Sequence, residues 1–467
     1  MLQFEDVAVI DRNAEYRGVD PEELMENAGK RLAEVIMDKF SEMPVLFVCG
    51  TGNNGGDAYV AARYLKEEWD TDIDVYLVKR SEDIRSDIAR KNFEGFGGKV
   101  LEDLDWSDID RNTIIVDAML GTGIKGDIRE PYRSAIEDMN ELRNPIVSVD
   151  VPSGFGSDIM VHPKLTVTFH DIKEGMTMEN SGKIEIRDIG IPEKALDHTG
   201  PGEMLLYPRA REDSHKGENG RLLIVGGGPY TGAPALAGKA AYRTGIDLVH
   251  LAVPSSVSDT ISGYSMDFLV HPLEGEILTE EHMGKILSIS EECDSVIIGP
   301  GLGDDEESLQ AVKELIEEID VPMVVDADAL KAFDGEIKSG RDLVLAPHRG
   351  EFNQLIGERV EEMEEKADEF AEKNSIVLVV KGETDYITDG EEHRWNDFGN
   401  EGMTVGGTGD TLSGVIGALL GKGAEPFNAG RIGAYMTCKA GDKAFEEFKW
   451  GLLPQDIIER LPELFSD

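Results

Sequence analysis

Short apolar runs that end at glycine or aspartate alternate with amphipathic stretches in the first part of the chain. The runs cover residues 45–48, 73–78, 114–116 and 145–149. Bounded runs of this length between helical segments are typical of parallel strands joined by crossover helices. The pattern therefore predicts an α/β sandwich.

A second series of the same kind begins after a proline-interrupted stretch. Its apolar runs cover residues 222–225, 248–251, 296–298, 323–325, 343–345 and 376–380, which predicts a second, mainly parallel sheet. Pro192, Pro201 and Pro208 break the polar segment between the two series. Because single cores rarely grow beyond roughly 250 residues, the 467 residues are predicted to form two domains, 1–205 and 206–467.

The net charge of the chain argues against some classes of binding partner. The chain has 93 acidic and 46 basic residues, a formal charge of 46 − 93 = −47 that is spread along its length. A phosphate backbone is bound through clustered Lys and Arg, so this balance argues against nucleic acid and anionic lipid. The simplest interpretation is solubility in a salt-rich cytosol.

Cysteine spacing and the amino-terminal segment indicate the compartment. Cys49, Cys293 and Cys438 are far apart and lack metal-type spacing, which favours small core residues in a reducing environment. The first residues have neither the basic region nor the apolar run of a signal peptide, and no stretch approaches the ~20 apolar residues of a membrane span. A cytoplasmic location is expected.

A glycine-rich turn follows the first predicted strand. Gly50, Gly52 and Gly55 match G-x-G-x-x-G ahead of a helix predicted from about Ala58 to Glu68. Glycines let the backbone approach a ligand, and the helix start offers unpaired amides to phosphate. Alone this is a weak signal, and a dehydrogenase remains one interpretation.

Side-chain oxygens make the first site more specific. Asn53, Asn54 and Asp57 offer oxygens on one turn to a ribose, an amide or a hard monovalent cation. Two later loops, 116–127 and 149–154, carry further oxygens and glycines. Loops at the carboxyl ends of strands in an open α/β sheet converge on the ligand crevice.

These motifs together resemble the NAD(P)HX epimerase family. The resemblance covers most of residues 1–205 and is carried by segments 24–29, 52–57, 121–127 and 150–154, with Ala58 and Val151 where glycine and isoleucine are usual. It implies a Rossmann-like three-layer αβα sandwich. The residues implied to contact the hydrated cofactor are Asn53, Asn54, Gly55, Gly56, Asp57, Gly121, Thr122, Gly123, Ile124, Lys125, Gly126, Asp127 and Asp150. Potassium (K⁺) is implied at Asn54, Asp117 and Ser153.

Epimerisation at the hydroxyl-bearing C6 of the nicotinamide ring requires a polar group that assists loss and return of the hydroxyl, or ring opening. Lys125 and Asp150 are the candidate catalytic residues. Lys125 could equally be a solvated loop lysine. Asp150 could serve only to bind a hydroxyl.

The strongest motif lies at 402–414, where four glycines precede Asp410 at the start of an apolar helix. Backbone amides in such a turn stabilise charge on a transferring phosphoryl group, and Asp410 can accept the proton of the acceptor hydroxyl as catalytic base. The alternative is a first-turn acid that only satisfies the helix dipole. The number of fixed glycines disfavours this alternative.

Loops at 226–228, 299–303, 326–329, 346–351 and 381–385 complete a resemblance to the ribokinase-like superfamily, in its ADP-dependent NAD(P)HX dehydratase branch, over about 215–465. The resemblance implies a second αβα domain in which Ala233, Gly303, His348 and Asp410 contact the hydrated cofactor. It implies that the adenine nucleotide, with Mg²⁺, is held by Lys381, Gly382, Glu383, Thr384, Asp385 and Gly409. Arg349 departs from the usual His-Pro-Gly-Glu motif. Read alone, His348 would more often be a capping histidine.

The two resemblances imply one repair pathway. The first domain would interconvert the R and S forms of NADHX and NADPHX. The second would dehydrate the S form while ADP is hydrolysed to AMP and phosphate. A homo-oligomer is expected. The alternatives are a vitamin-precursor kinase with a non-catalytic amino-terminal binding domain, a scaffold, and a dehydrogenase.

Overall fold

In the computed structural model, the described residues are 1–123, 126–333 and 342–466. The chain divides into two units, Met1–Leu196 and Asp197–Asp467. The predicted limit at 205/206 follows the 3-10 helix Pro201–Leu205 in the second unit, and the exact domain limits stay a prediction. The other 3-10 helices are Ser81–Asp83, Trp106–Asp108, Glu280–His282, Ala327–Ala332, Glu401–Thr404, Lys449–Gly451 and Leu461–Phe465.

The first unit is built around a parallel sheet with strand order β3-β2-β1-β4-β5-β6-β7. Its elements are α1 (Phe4–Tyr16), α2 (Pro21–Lys39), β1 (Val45–Cys49), α3 (Asn53–Glu68), β2 (Ile73–Leu77), α4 (Asp87–Gly95), β3 (Lys99–Leu101), β4 (Ile114–Ala118), α5 (Tyr132–Glu141), β5 (Ile146–Val149), β6 (Leu165–Phe169), α6 (Met178–Ser181), β7 (Lys183–Arg187) and α7 (Glu193–Asp197). Every residue of β1 and β4 is buried, as expected for central strands covered on both faces. The predicted α/β class and the four predicted strands are confirmed.

One helix boundary differs from its prediction. Helix α3 begins at Asn53 and not near Ala58, so the Asn-Asn-Gly-Gly segment forms its first turn. The glycines are required by packing. A Cβ on Gly29 of α2 would lie 2.4 Å from Val60 Cβ, and one on Gly56 would lie 2.5 Å from Met25 Sδ. Close packing of α2 on α3 therefore compensates for weak helix formers.

The second unit contains a nine-stranded sheet in the order β10-β9-β8-β11-β12-β13-β14-β15-β16. Its elements are β8 (Arg221–Val225), α8 (Gly232–Arg243), β9 (Leu248–Pro254), α9 (Ser255–Ser262), β10 (Leu269–Leu273), α10 (Met283–Ser290), β11 (Ser295–Ile298), α11 (Glu306–Glu318), β12 (Met323–Val325), β13 (Leu343–Leu345), α12 (Arg349–Leu355), α13 (Met363–Asn374), β14 (Val377–Val380), β15 (Asp385–Thr388), β16 (His393–Asn396), α14 (Thr408–Gly421), α15 (Pro426–Phe448) and α16 (Pro454–Arg460). The strands from β10 to β14 are parallel, and β15 and β16 are antiparallel. The six predicted strands and the mainly parallel sheet are confirmed.

Two edge strands carry charged residues or proline. On β7, Glu185 pairs with Lys183 at 2.7 Å and with Arg187 at 3.2 Å. Strand β10 contains Pro272, whose carbonyl accepts a hydrogen bond from Lys285 Nζ at 2.7 Å. Proline and charges are common at sheet edges, where they discourage pairing with another strand.

Two further findings concern cysteines and membrane spans. Cys49 and Cys293 are buried, Cys438 is half-buried, and all three carry free thiols. None of the helices that the structure describes has both the length and the apolar character needed to cross a membrane.

Candidate functional sites

Asp117 lies at the centre of a buried oxygen-rich network in the first unit. Its carboxylate accepts hydrogen bonds from Ser148 Oγ at 2.8 Å, from the Ser153 amide at 2.8 Å, from the Ser153 hydroxyl, and from the Met119 amide at 3.4 Å. These donors are neutral. Burial raises the pKa of Asp117 while the serine hydrogen bonds oppose that rise. The carboxylate therefore lies where a nearby cation would stabilise its charge.

Asn54 joins the same network through a shared carbonyl. The Leu120 carbonyl accepts from Asn54 Nδ2 and from Ser153 Oγ, each at 3.3 Å, and Asn54 Nδ2 also donates to Val149 O at 3.0 Å. The structure thus brings together the three residues predicted to hold potassium. Their oxygens, with one carboxylate charge, are of the hard type that suits a monovalent cation.

Asp150 forms a buried ion pair with a residue that the sequence analysis missed. Asp150 adopts φ 62°, a left-handed conformation, directly after β5. Its Oδ1 accepts hydrogen bonds from Lys173 Nζ and, at 3.2 Å, from the Phe169 amide. Lys173 Nζ also donates to Thr168 Oγ1 at 3.0 Å, and its side chain is 2% exposed. An uncommon backbone conformation next to a buried charge pair is typical of functional sites.

Two further carboxyl groups, those of Asp57 and Asp11, interact electrostatically with Asp150. Burial raises the pKa of Asp57 well above its usual value, and the charges of Asp150 and Asp11 add to the rise. Desolvation and the charge of Asp150 raise the pKa of Asp11 to about 6. The Asp11 side chain is nevertheless exposed. Asp11, Asp57, Asp150 and Lys173 therefore form one charge cluster.

Several predicted cofactor contacts follow the carboxyl ends of the neighbouring strands β1 and β4. Asn53 through Asp57 form the start of α3 after β1, and a Cβ on Gly121, after β4, would lie 2.7 Å from Asn54 Oδ1. The remaining members that the structure describes are Thr122, Gly123, Gly126 and Asp127. Ile124 and Lys125 lie outside the described residues, so the catalytic role suggested for Lys125 stays a prediction.

The second unit places the half-buried Lys381 and the buried Asp326 beside Gly409. Lys381 Nζ donates to Asp326 Oδ1 at 2.7 Å, and Ser413 Oγ donates to Asp326 Oδ2. A Cβ on Gly409 would lie 3.2 Å from Lys381 Nζ. Burial acts to lower the pKa of Lys381, but Asp326, Glu351 and Asp410 together raise it, so the lysine is a stable cation.

Asp410 is the third residue of α14 and belongs to the same group of charges. Gly407, with φ 103°, caps the helix in a left-handed conformation. Desolvation raises the pKa of Asp410 to about 6, the Asp326 and Asp328 charges add to the rise, and Lys381 opposes it. A carboxylate with a pKa just below neutrality is well suited to act as a general base.

His348 and Asp385 mainly support the backbone around this site. His348 Nδ1 accepts the Glu351 amide at 3.0 Å, Glu351 Oε2 accepts the His348 amide at 2.8 Å, and the two residues form a capping box at the start of α12. Asp385 is buried and accepts from the Gly382 amide at 3.0 Å and from Asn396 Nδ2 at 2.9 Å. His348 also bridges to Lys381 in parallel register. Contacts of both side chains with ligands stay predictions.

A cavity of about 500 Å³ in the second unit is lined by residues that include Gly303 and Asp328. Gly303 donates its amide to Asp328 Oδ2 at 2.9 Å, and Asp328 also influences Asp410. The turn Gly228–Tyr230 after β8 forms another part of the lining. Ala233 lies in the first turn of α8. The cavity is of the size that holds a small-molecule ligand.

Sequence reasoning missed Asp11 and Lys173 and assigned no role to Asp326 or Ser413. Lys173 follows β6, which was not predicted, so the rule that functional residues follow strand ends was not applied there. Recognising the alternation in 165–169 would have given that signal. Asp326 follows a predicted strand, but its pairing with Lys381 depends on tertiary structure.

Comparisons with known proteins address both units. A family model described as NAD(P)H-hydrate dehydratase matches residues 222–463, and one described as YjeF-related protein N-terminus matches residues 21–175. The bifunctional NAD(P)H-hydrate repair enzyme Nnr of Methanothermobacter thermautotrophicus is 38% identical, over 99% of this chain and 94% of its own length. The protein of the same name from Pyrobaculum aerophilum is 40% identical, over 98% and 96%.

The chain belongs to the bifunctional NAD(P)H-hydrate repair enzymes. Membership of this family confirms the resemblance drawn from the sequence and the prediction of an enzyme with an epimerase and a dehydratase domain. A ribokinase-like superfamily protein from Enterococcus faecalis has a TM-score of 0.51 at 22% identity, covering 58% of this chain and 95% of that chain. At this identity the likeness shows the fold alone, and it confirms the ribokinase-like class of this repair enzyme's second sheet.

Proposed function

We propose that the chain repairs hydrated NADH and NADPH through separate chemistry in its two units. The first unit interconverts R and S NAD(P)HX, and the second dehydrates the S form at the expense of ADP. The observation that carries the proposal is the presence of an intact charged site in each unit of a chain matched over nearly its whole length by bifunctional relatives.

In the first unit, epimerisation proceeds by loss and return of the C6 hydroxyl. A protonated carboxyl group of the Asp11 and Asp57 pair gives its proton to the departing hydroxyl, which leaves as water while the ring nitrogen lone pair forms a C6–N double bond. Water then adds to either face and returns its proton. Asp150, fixed by Lys173, stabilises the cationic ring, and the Asp11 and Asp57 pair receives that proton, which restores its starting state. Lys125 is a further candidate for this transfer.

In the second unit, Asp410 accepts the proton of the C6 hydroxyl as that oxygen attacks the β-phosphate of ADP, which releases AMP. Lys381, held by Asp326, neutralises phosphoryl charge, and the amides at the start of α14 bind the transferring group. Loss of phosphate from C6 and of a proton from C5 then restores the ring double bond. Ala233, Gly303 and His348 are proposed to contact the hydrated cofactor. Gly382, Glu383 and Thr384 are proposed to contact the nucleotide.

Two metal ions belong to the proposal. Asn54, Asp117 and Ser153 would hold K⁺, which is supported by their shared hydrogen-bond network and by the hard oxygens that their side chains carry. When bound, K⁺ would offset the buried Asp117 charge and fix the 119–121 backbone. Mg²⁺ would accompany the nucleotide and neutralise phosphate charge. In the described part of the chain, no group of three or more His, Cys, Asp or Glu side chains could hold a metal, so no residue is assigned to Mg²⁺.

The test is recovery of absorbance at 340 nm from a mixture of R and S NADHX with ADP, Mg²⁺ and K⁺. We expect the wild-type chain to recover both forms. The Asp410→Asn variant should recover neither. The Asp150→Asn variant should recover the S fraction quickly and the rest only at the spontaneous rate, because asparagine also tolerates the left-handed backbone.

The outcomes separate the alternatives. No recovery by folded wild-type chain with either ADP or ATP would refute repair. A stable phosphorylated product from a vitamin-precursor alcohol would instead favour the kinase. A cytoplasmic homo-oligomer stays part of the proposal, and size-exclusion chromatography with light scattering tests the oligomeric state.

A further inference from the structure

A second cavity in the first unit lies beside the proposed epimerase site. It has a volume of about 370 Å³, and its lining includes Thr51, Lys79, Arg80, Asp83 and Arg85. We call it the β2 cavity because Lys79 and Arg80 follow that strand. None of its lining residues has a role in the proposed chemistry.

The β2 cavity has a local charge opposite to that of the whole chain. Three cations and one carboxylate line it, in a protein with 93 acidic and 46 basic residues. The Arg80 and Arg85 guanidinium groups make no hydrogen bond or ion pair with any residue that the structure describes. Acidic partners are abundant in this chain, so two arginines left without them are available to an external anion.

Neighbouring backbone and aromatic contacts hold the cavity in place. The Arg85 amide donates to Thr51 O at 3.1 Å, and the Val78 amide donates to Cys49 O at 3.1 Å. Lys79 Nζ lies 5.0 Å from the centre of the Tyr132 ring. The cavity is therefore fixed to the glycine-rich turn between β1 and α3.

The sheet order shows how one ligand could reach both sites. Strand β2 pairs with one side of β1, while β4 pairs with its other side and β5 follows. Adjacent strands are about 4.8 Å apart, so the end of β2 lies roughly 14 Å from the end of β5, where Asp150 is found. A dinucleotide with its nicotinamide at Asp150 extends along this edge and places its adenosine at β2.

In Rossmann-like folds, side chains at the end of the second strand, β2 in this chain, discriminate between NAD and NADP. An acidic side chain there binds the 2′-hydroxyl of the adenosine ribose, whereas an arginine accommodates a 2′-phosphate. In this chain Lys79 and Arg80 occupy that position. Pyrophosphate is common to both substrates and belongs at the α3 amino terminus, so the β2 cations are left for a second phosphate.

We propose that the β2 cavity binds the 2′-phosphate of NADPHX and makes the epimerase domain prefer NADPHX over NADHX. The preference rests on the proposed epimerase function. Arg80 and Arg85 supply the charged hydrogen bonds, and Thr51 and Lys79 complete the lining. Asp83 is the one carboxylate among the lining residues.

The experiment measures epimerisation of the R forms of both substrates by the full chain. An excess of the Asp150→Asn chain, whose second unit is unaltered, dehydrates the S product as it forms. Epimerisation therefore limits the measured rate. For Arg80→Gln and for Arg85→Gln we expect KM for NADPHX to rise about 10-fold or more, as for loss of a charged hydrogen bond, with kcat little changed. KM for NADHX should change less than about 2-fold. The conservative Arg80→Lys should restore most of the preference.

Arg111→Gln is the matched control. Arg111 is exposed and lies just before β4, at the end of the sheet where the strands begin and away from the β2 cavity. This variant should therefore keep the wild-type ratio of the KM values for NADPHX and NADHX. Equal losses for both substrates would overturn the proposal in favour of a pyrophosphate site. Unchanged KM values in both cavity variants would overturn it in favour of solvated arginines.

Direct binding separates this proposal from the epimerase function. Calorimetry with saturating ADP compares adenosine 2′,5′-bisphosphate and adenosine 5′-monophosphate as probes. We expect the bisphosphate to bind wild type and Arg111→Gln more tightly than Arg80→Gln, and the monophosphate to show no such difference. Equal bisphosphate affinity in all three chains would overturn the cavity assignment, whereas a wild-type chain that binds it without epimerising either substrate would refute only the epimerase function.

Discussion

Asp410 has a proposed catalytic role, but it lies where burial disfavours the charge that this role requires. Desolvation raises its pKa to about 6, and the charges of Asp326 and Asp328 contribute to the rise. Folding therefore favours the protonated form, yet the proposed chemistry uses the ionised form. The group is thus ionised only above a pH of about 6, which sets an acidic limit to activity.

We predict that dehydratase kcat falls about tenfold per pH unit below a pH of about 6, and that Asp410→Asn lowers it by about 100-fold or more. Stability should move the other way. Because the folded pKa lies above the unfolded one, the carboxylate destabilises the fold as pH rises from about 4 to 6. At pH 7 the Asn variant should therefore melt higher than wild type, and the difference should vanish near pH 4. Calorimetric melting checks this, and a lower Tm at pH 7 would contradict it.

The Asp150 and Lys173 pair presents the opposite case, because each charge compensates for burial of the other. Lys173 Nζ also donates to Phe169 O at 2.9 Å. Removing one member leaves an uncompensated charge in a buried place. Both the fold of the first unit and the proposed epimerase site therefore depend on the pair.

We predict that Lys173→Met lowers the free energy of unfolding by about 3–5 kcal/mol. Adding Asp150→Asn should recover part of that loss, because residue 150 then no longer carries a buried charge without its partner. Chemical denaturation of the two single variants and the double variant measures the coupling. Lys30→Met, at an exposed position on α2, serves as the control and should change stability by less than about 0.5 kcal/mol. Additive effects of the two substitutions would contradict this account.

At the scale of elements, ten strands with continuous apolar runs were predictable. The edge strands were missed, and so were two buried strands, β6 and β15, whose sequences mix apolar with polar residues. All ten predicted strands exist because continuous apolar runs are characteristic of central parallel strands. Strands β3, β7 and β16 were not predicted from the sequence, because their exposed positions carry charged or polar residues. Site motifs with many glycines were found, whereas Lys173 and Asp326 act through partners distant in sequence, which local patterns do not reveal.

The α2 and α3 interface provides the prediction at this scale. Gly29→Ala should lower the free energy of unfolding by about 1–3 kcal/mol, although alanine is the better helix former, because its Cβ would overlap Val60 and Asp57 O. The start of α3 should shift, and epimerase activity should fall while dehydratase activity remains. Gly95→Ala in α4, where a Cβ meets no atom within 4 Å, should be neutral or stabilising. Equal effects of the two substitutions in denaturant titrations would refute the packing argument.

At the scale of the whole molecule, the formal charge of −47 implies strong self-repulsion at low ionic strength. Screening shortens the reach of these charges from about 10 Å at 0.1 M salt to about 3 Å at 1 M. Salt should therefore stabilise this chain irrespective of the cation, apart from any specific ion requirement of the first unit.

We predict that raising salt from 0.1 to 1 M increases Tm to a similar extent in KCl, NaCl and choline chloride. Epimerase activity should respond differently and require KCl, because only the Asn54, Asp117 and Ser153 site selects the ion. Asp117→Asn, which keeps the shape of the side chain, should remove that requirement together with most of the activity. A Tm independent of salt would contradict the repulsion argument, and equal epimerase rates in choline chloride would contradict a K⁺ site.

The proline on edge strand β10 and the paired charges on edge strand β7 affect the tendency of the chain to aggregate before folding is complete. Newly made chains with parallel sheets expose strand edges for longer than helical proteins do, because distant segments must meet first. An edge that contains Pro272, or that alternates Lys183, Glu185 and Arg187, is a poor template for another copy. These edges therefore protect the growing polypeptide from aggregation during synthesis.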